Sequence, residues 1–305
     1  MLLVKVRKER NTDLFTYESI GELVDAASRA GERISTLVLK DQAMSLEETE
    51  EEIFRKMSDD FAVMRESVRE GMKADLHSTS GLTGGEGFAM GAYADRGNTI
   101  CGDFLSGAMS RALAVAGCNA AMGKIVAAPT AGSCGILPGC LISMCDDRGI
   151  DEKDVVMSMF TAAAFGMVIA CRASIAGAQG GCQAECGSAA AMTAAALVEL
   201  MGGTPAQCAD ACAIAIAGQL GLVCDPVAGL VEIPCIKRNA AGVMIAASSA
   251  DMALAGVPAR IPADECLDAM REVGDALPGA LKETGAGGLA ATPTGLKLKN
   301  QVFGE

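Results

Sequence analysis

From about residue 75 to about residue 250 the chain thins its charges and runs on glycine and alanine, and this most limits what it can fold into. Aromatic residues make up only 3% of the sequence and tryptophan is absent, so the interior has to be filled by Ala, Gly, Val, Ile, Leu and Met. Small side chains let backbones approach closely, which suits tightly packed helices. Runs in which Val, Ile and Thr alternate with period two, as a half-buried strand requires, are scarce. The fold class expected is mostly α: a compact helical domain in which helical runs alternate with Gly-rich breaks. A chain of 305 residues can bury a large core, as one big domain or two small ones. No clear linker interrupts it. The expected organisation is an N-terminal helical lead over residues 1–74, packed on a core formed by residues 75–305.

Local signals place several helices. Ser19 and Glu22 have capping-box spacing, and Ile20, Leu23, Val24 and Ala27 follow at helical intervals. Ser45 and Glu48 repeat the pattern, ahead of one stripe formed by Ile53, Met57, Phe61, Met64, Val68 and Met72. Asp151 is placed to cap a helix through 155–171, and Ser188–Leu200 is Ala-rich. Thr204 supplies an N-cap, Pro205 the first helical position and Gln207 the rest of a box.

Composition excludes some partners. The net charge of −13 repels phosphate backbones and argues against nucleic acid and anionic membranes. Residues 125–145, IVAAPTAGSCGILPGCLISMC, carry no charge and are long enough to span a bilayer, but two prolines and three glycines argue against a span. The uncharged run 155–171 lies between Asp154 and Arg172 and reads as a core helix. The start, MLLVKVRKERNTD, turns polar within a few residues, so no signal peptide is expected. A cytoplasmic, reducing location follows, and there a disulfide framework for the 13 cysteines is not expected. Many of these thiols read as small buried hydrophobes.

Five Gly-rich breaks carry polar residues at their tips: SGLTGGEG (80–87), APTAGSCGILPG (128–139), AGAQGGCQAECGS (176–188), CDPVAGLVEIPC (224–235) and ETGAGGLAATPTG (283–295). None ends as a Walker A loop does, and none has the setting of a dinucleotide fingerprint. Each break read singly is a tight turn between packed helices. Together they can build a site from backbone N–H groups.

The break 224–235 raises the sharper question, because a thiol stands at each end of a segment that holds two prolines. Residues before proline avoid the α region, so Cys224 and Cys235 are expected beside extended backbone. Cys182 follows Gly180 and Gly181 and leads into the Ala-rich run, whereas Cys208 and Cys212, four apart, read as packing. No C-x-x-C pair and no ferredoxin-like run is present. Spacing alone therefore leaves open a disulfide, a metal or cluster site, or plainly buried thiols.

GLTGGEG, APTAGSCGILPG, GCQAECGSAAAMTAAAL, CDPVAGLVEIPCIKRNA and ETGAGGLAATPTG, in this order, resemble the α chain of the iron–sulfur-dependent L-serine dehydratases. The likeness runs from about residue 75 to the end and more weakly into the N-terminal helices. It implies that residues 75–305 are the catalytic domain. It also implies a [4Fe–4S] cluster, with no pyridoxal phosphate, held by three cysteines that fall on Cys182, Cys224 and Cys235. The implied reaction is β-elimination of water from L-serine, giving pyruvate and ammonia. In single-chain relatives a C-terminal cysteine can occupy the fourth iron. This chain ends LKLKNQVFGE, so that iron is expected to be open.

The family occurs as one long chain or as separate α and β chains, and the SSSHT-type motif of the β part is not found here. A separate β subunit carrying the base, in a hetero- or homo-oligomer, is the expectation. The one histidine, His77, matches no such motif and is read as a loop residue near the site rather than the base. Substrate-binding candidates are Ser80, Thr83, Gly84, Thr130 and Ser133, the hydroxyls acting as donors, with turn formation as the alternative role. Cys134 is expected near the cluster without being a ligand, and Lys237, Arg238 and Asn239 are read as tuning cluster charge or binding carboxylate, with capping of a helix start as the alternative. Two other readings stay open: a lyase acting on L-cysteine, and a non-catalytic helical subunit that binds zinc or nothing.

Overall fold

A computed structural model describes residues 17–304; the polar start of the chain and Glu305 lie outside it. Ser19 accepts the amide of Glu22 and opens α1 (Ile20–Ala30), which ends on Gly31 with a left-handed φ of 66°. Helix α2 (Ile34–Leu46) runs one turn further than its sequence suggests. Ser45 lies in its last turn, and Glu47 closes it in the left-handed region. The capping box of α3 (Glu50–Gly71) is consequently Thr49 with Glu52, not Ser45 with Glu48. The stretch SLEETEEE holds the pattern twice, four residues apart, and the continuation of α2 selects the second copy. Ile53, Met57, Phe61 and Met64 are buried along α3 as the stripe requires, with Val68 and Met72 half-buried at its end.

Helices α4 (Glu86–Ala94), α5 (Gly102–Ala120), α6 (Ile136–Asp146) and α7 (Glu152–Arg172) follow. Asp151 caps α7 through the amide of Lys153. The stretch 125–145 is not one helix: extended backbone leads to a single tight turn at Ala131–Ser133, and only then to α6. Next come the short α8 (Gly177–Gly180), α9 (Ser188–Leu200), α10 (Pro205–Ala217), α11 (Cys235–Leu254), α12 (Ala263–Ala276) and α13 (Pro293–Phe303). Helix α10 starts with the Thr204–Gln207 box and Pro205, as read from sequence. Among the described residues there is no β-strand, and the only bridges are His77 with Gly84 and Cys224 with Lys282.

Helix α9 is buried on every side from Ser188 to Glu199, as befits a core helix with no polar face. Helices α6, α7, α10 and α11 surround it. Glu199 closes its far end: its carboxylate accepts the Thr161 hydroxyl of α7 at 2.8 Å and the Ser35 amide of α2 at 3.1 Å. A carboxylate with 3% exposure is tolerable there because these donors satisfy it. Helix α5 is a second hub, against α3, α4, α6 and α11. Its neighbours touch it backbone to backbone. A Cβ on Gly71 would lie 1.8 Å from the carbonyl oxygen of Ala114, and one on Gly135 2.3 Å from that of Ala112. Helix α7 is the one described helix long and apolar enough to cross a membrane, and 67% of its apolar window is buried inside the protein.

Candidate cluster site

The five Gly-rich breaks meet at the amino end of α9. The Cys224 amide donates to Leu281 O and the Glu283 amide to Cys224 O, both at 2.8 Å, which ties break 224–235 to break 283–295. The Leu289 amide adds a bond to Asp225 Oδ2 at 2.7 Å. Asn239, fully buried, joins α11 to break 128–139: its Oδ1 accepts the Gly135 amide at 2.8 Å, and its Nδ2 donates to Gly132 O and Cys235 O. Break 80–87 is held by Glu232, whose Oε2 accepts the hydroxyls of Ser80 at 2.9 Å and Thr83 at 2.8 Å.

Cys182 stands at the head of a π-helical turn, Gln183–Gly187, that runs into α9. Such turns widen the helix and are frequent at functional sites. Cys182, Cys186 and Cys224 pack together with Ile136 and Ala189. The sulfurs of Cys182 and Cys186 are 3.4 Å apart, and Cys224 lies in the same buried cluster. Cys235, the first residue of α11, is 7% exposed and close enough to feel the charge on Cys182. The structure thus packs Cys182 with Cys224 and adds Cys186, which sequence reading passed over, while Cys235 lies outside this cluster of thiols.

Arg238 is the counter-charge. Its guanidinium donates to Val223 O at 2.8 Å and to Asp225 Oδ1 at 2.9 Å, and its charge acts on Cys182. Hydrogen bonds from Cys186 and Cys224, with the charge of Arg238, hold the Cys182 thiol far below its ordinary range, although burial opposes this. The same bonds keep the protons of Cys186 and Cys224 on their sulfurs. Burial pushes the Cys235 thiol up to about 12. The pocket thus sets soft sulfur donors beside a guanidinium that can offset thiolate charge. Glycine makes room for it: a Cβ on Gly177 would lie 3.0 Å from Cys224 Sγ and 2.7 Å from Glu185 Oε2. Among the described residues no three Cys, His, Asp or Glu side chains are gathered as a single metal ion demands.

Glu185, on the same π turn, accepts the Thr130 hydroxyl at 3.0 Å, and its other oxygen lies 4.0 Å from Cys224 Sγ. Burial, with the charge on Cys182, raises its carboxyl to about 7, and the Thr130 bond opposes the rise. Ser133 and Thr130 are joined at 3.1 Å. The hydroxyls of Ser80 and Thr83 thus donate to the buried carboxylate of Glu232, and that of Thr130 donates to the half-buried carboxylate of Glu185. Gly84 serves a turn: a Cβ there would lie 2.4 Å from Nδ1 of His77, which is itself exposed. Cys134 lies under its loop with the thiol toward Val115 O, and Lys237 is exposed, 3.7 Å from Glu86. Cys208 and Cys212 sit in the main core. Glu185 and Glu232 escaped sequence reading, although both stand inside Gly-rich breaks.

Residues 29–290 match the family model described as serine dehydratase alpha chain. The chain belongs to that family. It is 47% identical to a probable L-serine dehydratase, alpha chain, of Bacillus subtilis, over 94% of this chain and 96% of the relative. It is 45% identical to the L-serine dehydratase, alpha chain, of Peptoniphilus asaccharolyticus, over 93% and 97%. The longer L-serine dehydratase TdcG of Escherichia coli is 35% identical over 90% of this chain and 62% of the relative.

Proposed function

We propose that this chain is the α subunit of an iron–sulfur-dependent L-serine ammonia-lyase, a cytoplasmic enzyme that eliminates water from L-serine to give pyruvate and ammonia. The observation that carries this reading is the meeting of Cys182 and Cys224 with Cys235 alongside, in a buried pocket next to Arg238. The names of the two α-chain relatives point to the same substrate and to a second chain.

A [4Fe–4S] cluster suits these residues. Such clusters are held by cysteine thiolates, spread wider than the ligands of a single ion, and buried thiols stand here beside the half-buried guanidinium of Arg238. Cys182, Cys224 and Cys235 would hold three irons. When bound, the cluster supplies a Lewis-acidic iron with a free position, which eases departure of the serine hydroxyl. Arg238 offsets thiolate charge and, through Asp225 and Val223 O, fixes the strand of loop that carries Cys224. Asn239 fixes Cys235 against the 131–135 turn.

Substrate binding falls to Ser80, Thr83, Gly84, Thr130 and Ser133 and their loops. Because the hydroxyl protons of Ser80, Thr83 and Thr130 point to Glu232 and Glu185, backbone N–H groups are the donors left to meet the substrate carboxylate. The base is assigned to a β subunit, because His77 does not match the SSSHT-type motif of that part of the family.

The test is pyruvate release under argon from L-serine, L-cysteine and L-threonine, with and without a co-expressed β chain. Release from L-serine that requires both chains is expected. Protein that carries zinc without acid-labile sulfide and releases no pyruvate overturns the reading.

A further inference from the structure

Cys186 has no part in the ligand set proposed above, yet its sulfur lies 3.4 Å from that of Cys182. Both residues are nearly inaccessible, at 1% and 2% exposure, in a cluster that also contains Cys224. They are four apart across a π-helical turn. In a regular helix residues four apart have Cα atoms about 6 Å from each other, within the roughly 4.4–6.8 Å that a disulfide spans. A π turn stacks them more nearly one above the other. Among the described residues no other buried cysteine pair shows hydrogen-bonded sulfurs within one helical turn: Cys208 and Cys212 share a helix face but are packed into the hydrocarbon core.

We infer that Cys182 and Cys186 form a reversible dithiol–disulfide pair that takes over when the cluster is absent, with Cys186 as the resolving cysteine. This rests on the reading of Cys182 as a cluster ligand. The oxidant is hydrogen peroxide, small enough to reach a buried pair. In the first step the Cys182 sulfur attacks the O–O bond; one oxygen stays on sulfur as sulfenic acid, the other leaves as water with the thiol proton. In the second step the Cys186 sulfur attacks the sulfenic sulfur, an S–S bond forms and a second water leaves. The two thiols lose two electrons and two protons, and the peroxide is reduced to two waters. The disulfide removes one proposed ligand and blocks cluster loading. It also keeps Cys182 from sulfinic acid, which thiol reductants do not reverse.

Sequence makes the test direct, because Glu185 lies between the two cysteines. Cluster-free chain is treated with hydrogen peroxide, its remaining thiols are alkylated under denaturing conditions, and it is cut with a glutamate-specific protease. A peptide ending at Glu185 disulfide-linked to the peptide 186–199, assigned by fragmentation to Cys182 and Cys186, is the expected product. Iron and sulfide uptake should then be lost and should return after thiol reductant. In Cys186→Ala and Cys186→Ser the same treatment should leave Cys182 as sulfinic acid, with uptake not restored by reductant.

A wild-type link from Cys182 to Cys224, or Cys182 sulfinic acid with no link, overturns the inference. The untreated reduced chain is the control for the functional reading: if it takes up no cluster, that reading fails, whatever the peptide map shows.

Discussion

The carboxylate of Glu232 accepts the hydroxyl of Thr83 at 2.8 Å, across 149 positions of sequence. The same oxygen accepts Ser80, so one buried side chain in the loop between Cys224 and Cys235 anchors the start of the first Gly-rich break. Glu232→Ala leaves the buried Thr83 hydroxyl without its acceptor and Ser80 with only the Ser78 hydroxyl. Stranding a buried polar group costs about 1–3 kcal/mol, so urea unfolding should move by that order. Amide exchange at Leu82 and Thr83 should rise selectively. Unchanged exchange in this loop would show that Glu232 does not hold it.

Asn239 is the other anchor, and it is harder to replace. Its three bonds reach Gly132, Gly135 and Cys235 with no exposure to water. Asn239→Asp keeps the acceptor for Gly135 but turns an oxygen toward two carbonyls. Asn239→Ala loses all three bonds. Both should lower stability by about 2 kcal/mol or more, measured as a fall in Tm. A variant within experimental error of the wild type would mean that the 131–135 turn is held by packing alone.

Glycine content can be tested by a matched pair. In a helix interior alanine is favoured over glycine by about 1 kcal/mol. Gly117→Ala in α5 meets only Leu76 Cδ2, at 3.7 Å, and should stabilise by up to that amount. Gly71→Ala in α3 puts its Cβ 1.8 Å from Ala114 O, and no side-chain rotation relieves a clash with backbone. Overpacking costs about 1–3 kcal/mol and can exceed this, so the clash outweighs propensity and Gly71→Ala should destabilise. Opposite signs for the two Tm changes are expected; equal signs would contradict close backbone contact between α3 and α5.

What the sequence revealed was local. The Thr204–Gln207 box and the helix Ser188–Leu200 could be read directly because their signals lie within one or two turns. The start of α3 could not, because two equal cap patterns overlap and only the length of α2 chooses between them. The convergence of the Gly-rich breaks was legible as a pattern of five similar segments. Its chemistry was not: Glu185 meets Thr130 and Glu232 meets Ser80 over separations of 55 and 152 positions, which no local pattern encodes. Cys186 shared that fate, since a cysteine pair four apart looks alike in a thiol pocket and in the core position taken by Cys208 and Cys212.

The most direct measurement is anaerobic reconstitution with iron and sulfide, read by visible absorption and by counts of iron and acid-labile sulfide, on wild type and on single alanine variants. The expected result is about four irons per wild-type chain, as the [4Fe–4S] stoichiometry requires. Loss of the cluster is expected in Cys182→Ala, Cys224→Ala and Cys235→Ala, with retention in Cys208→Ala and Cys212→Ala. A Cys224→Ala chain that binds as much iron and sulfide as wild type would contradict the cluster assignment.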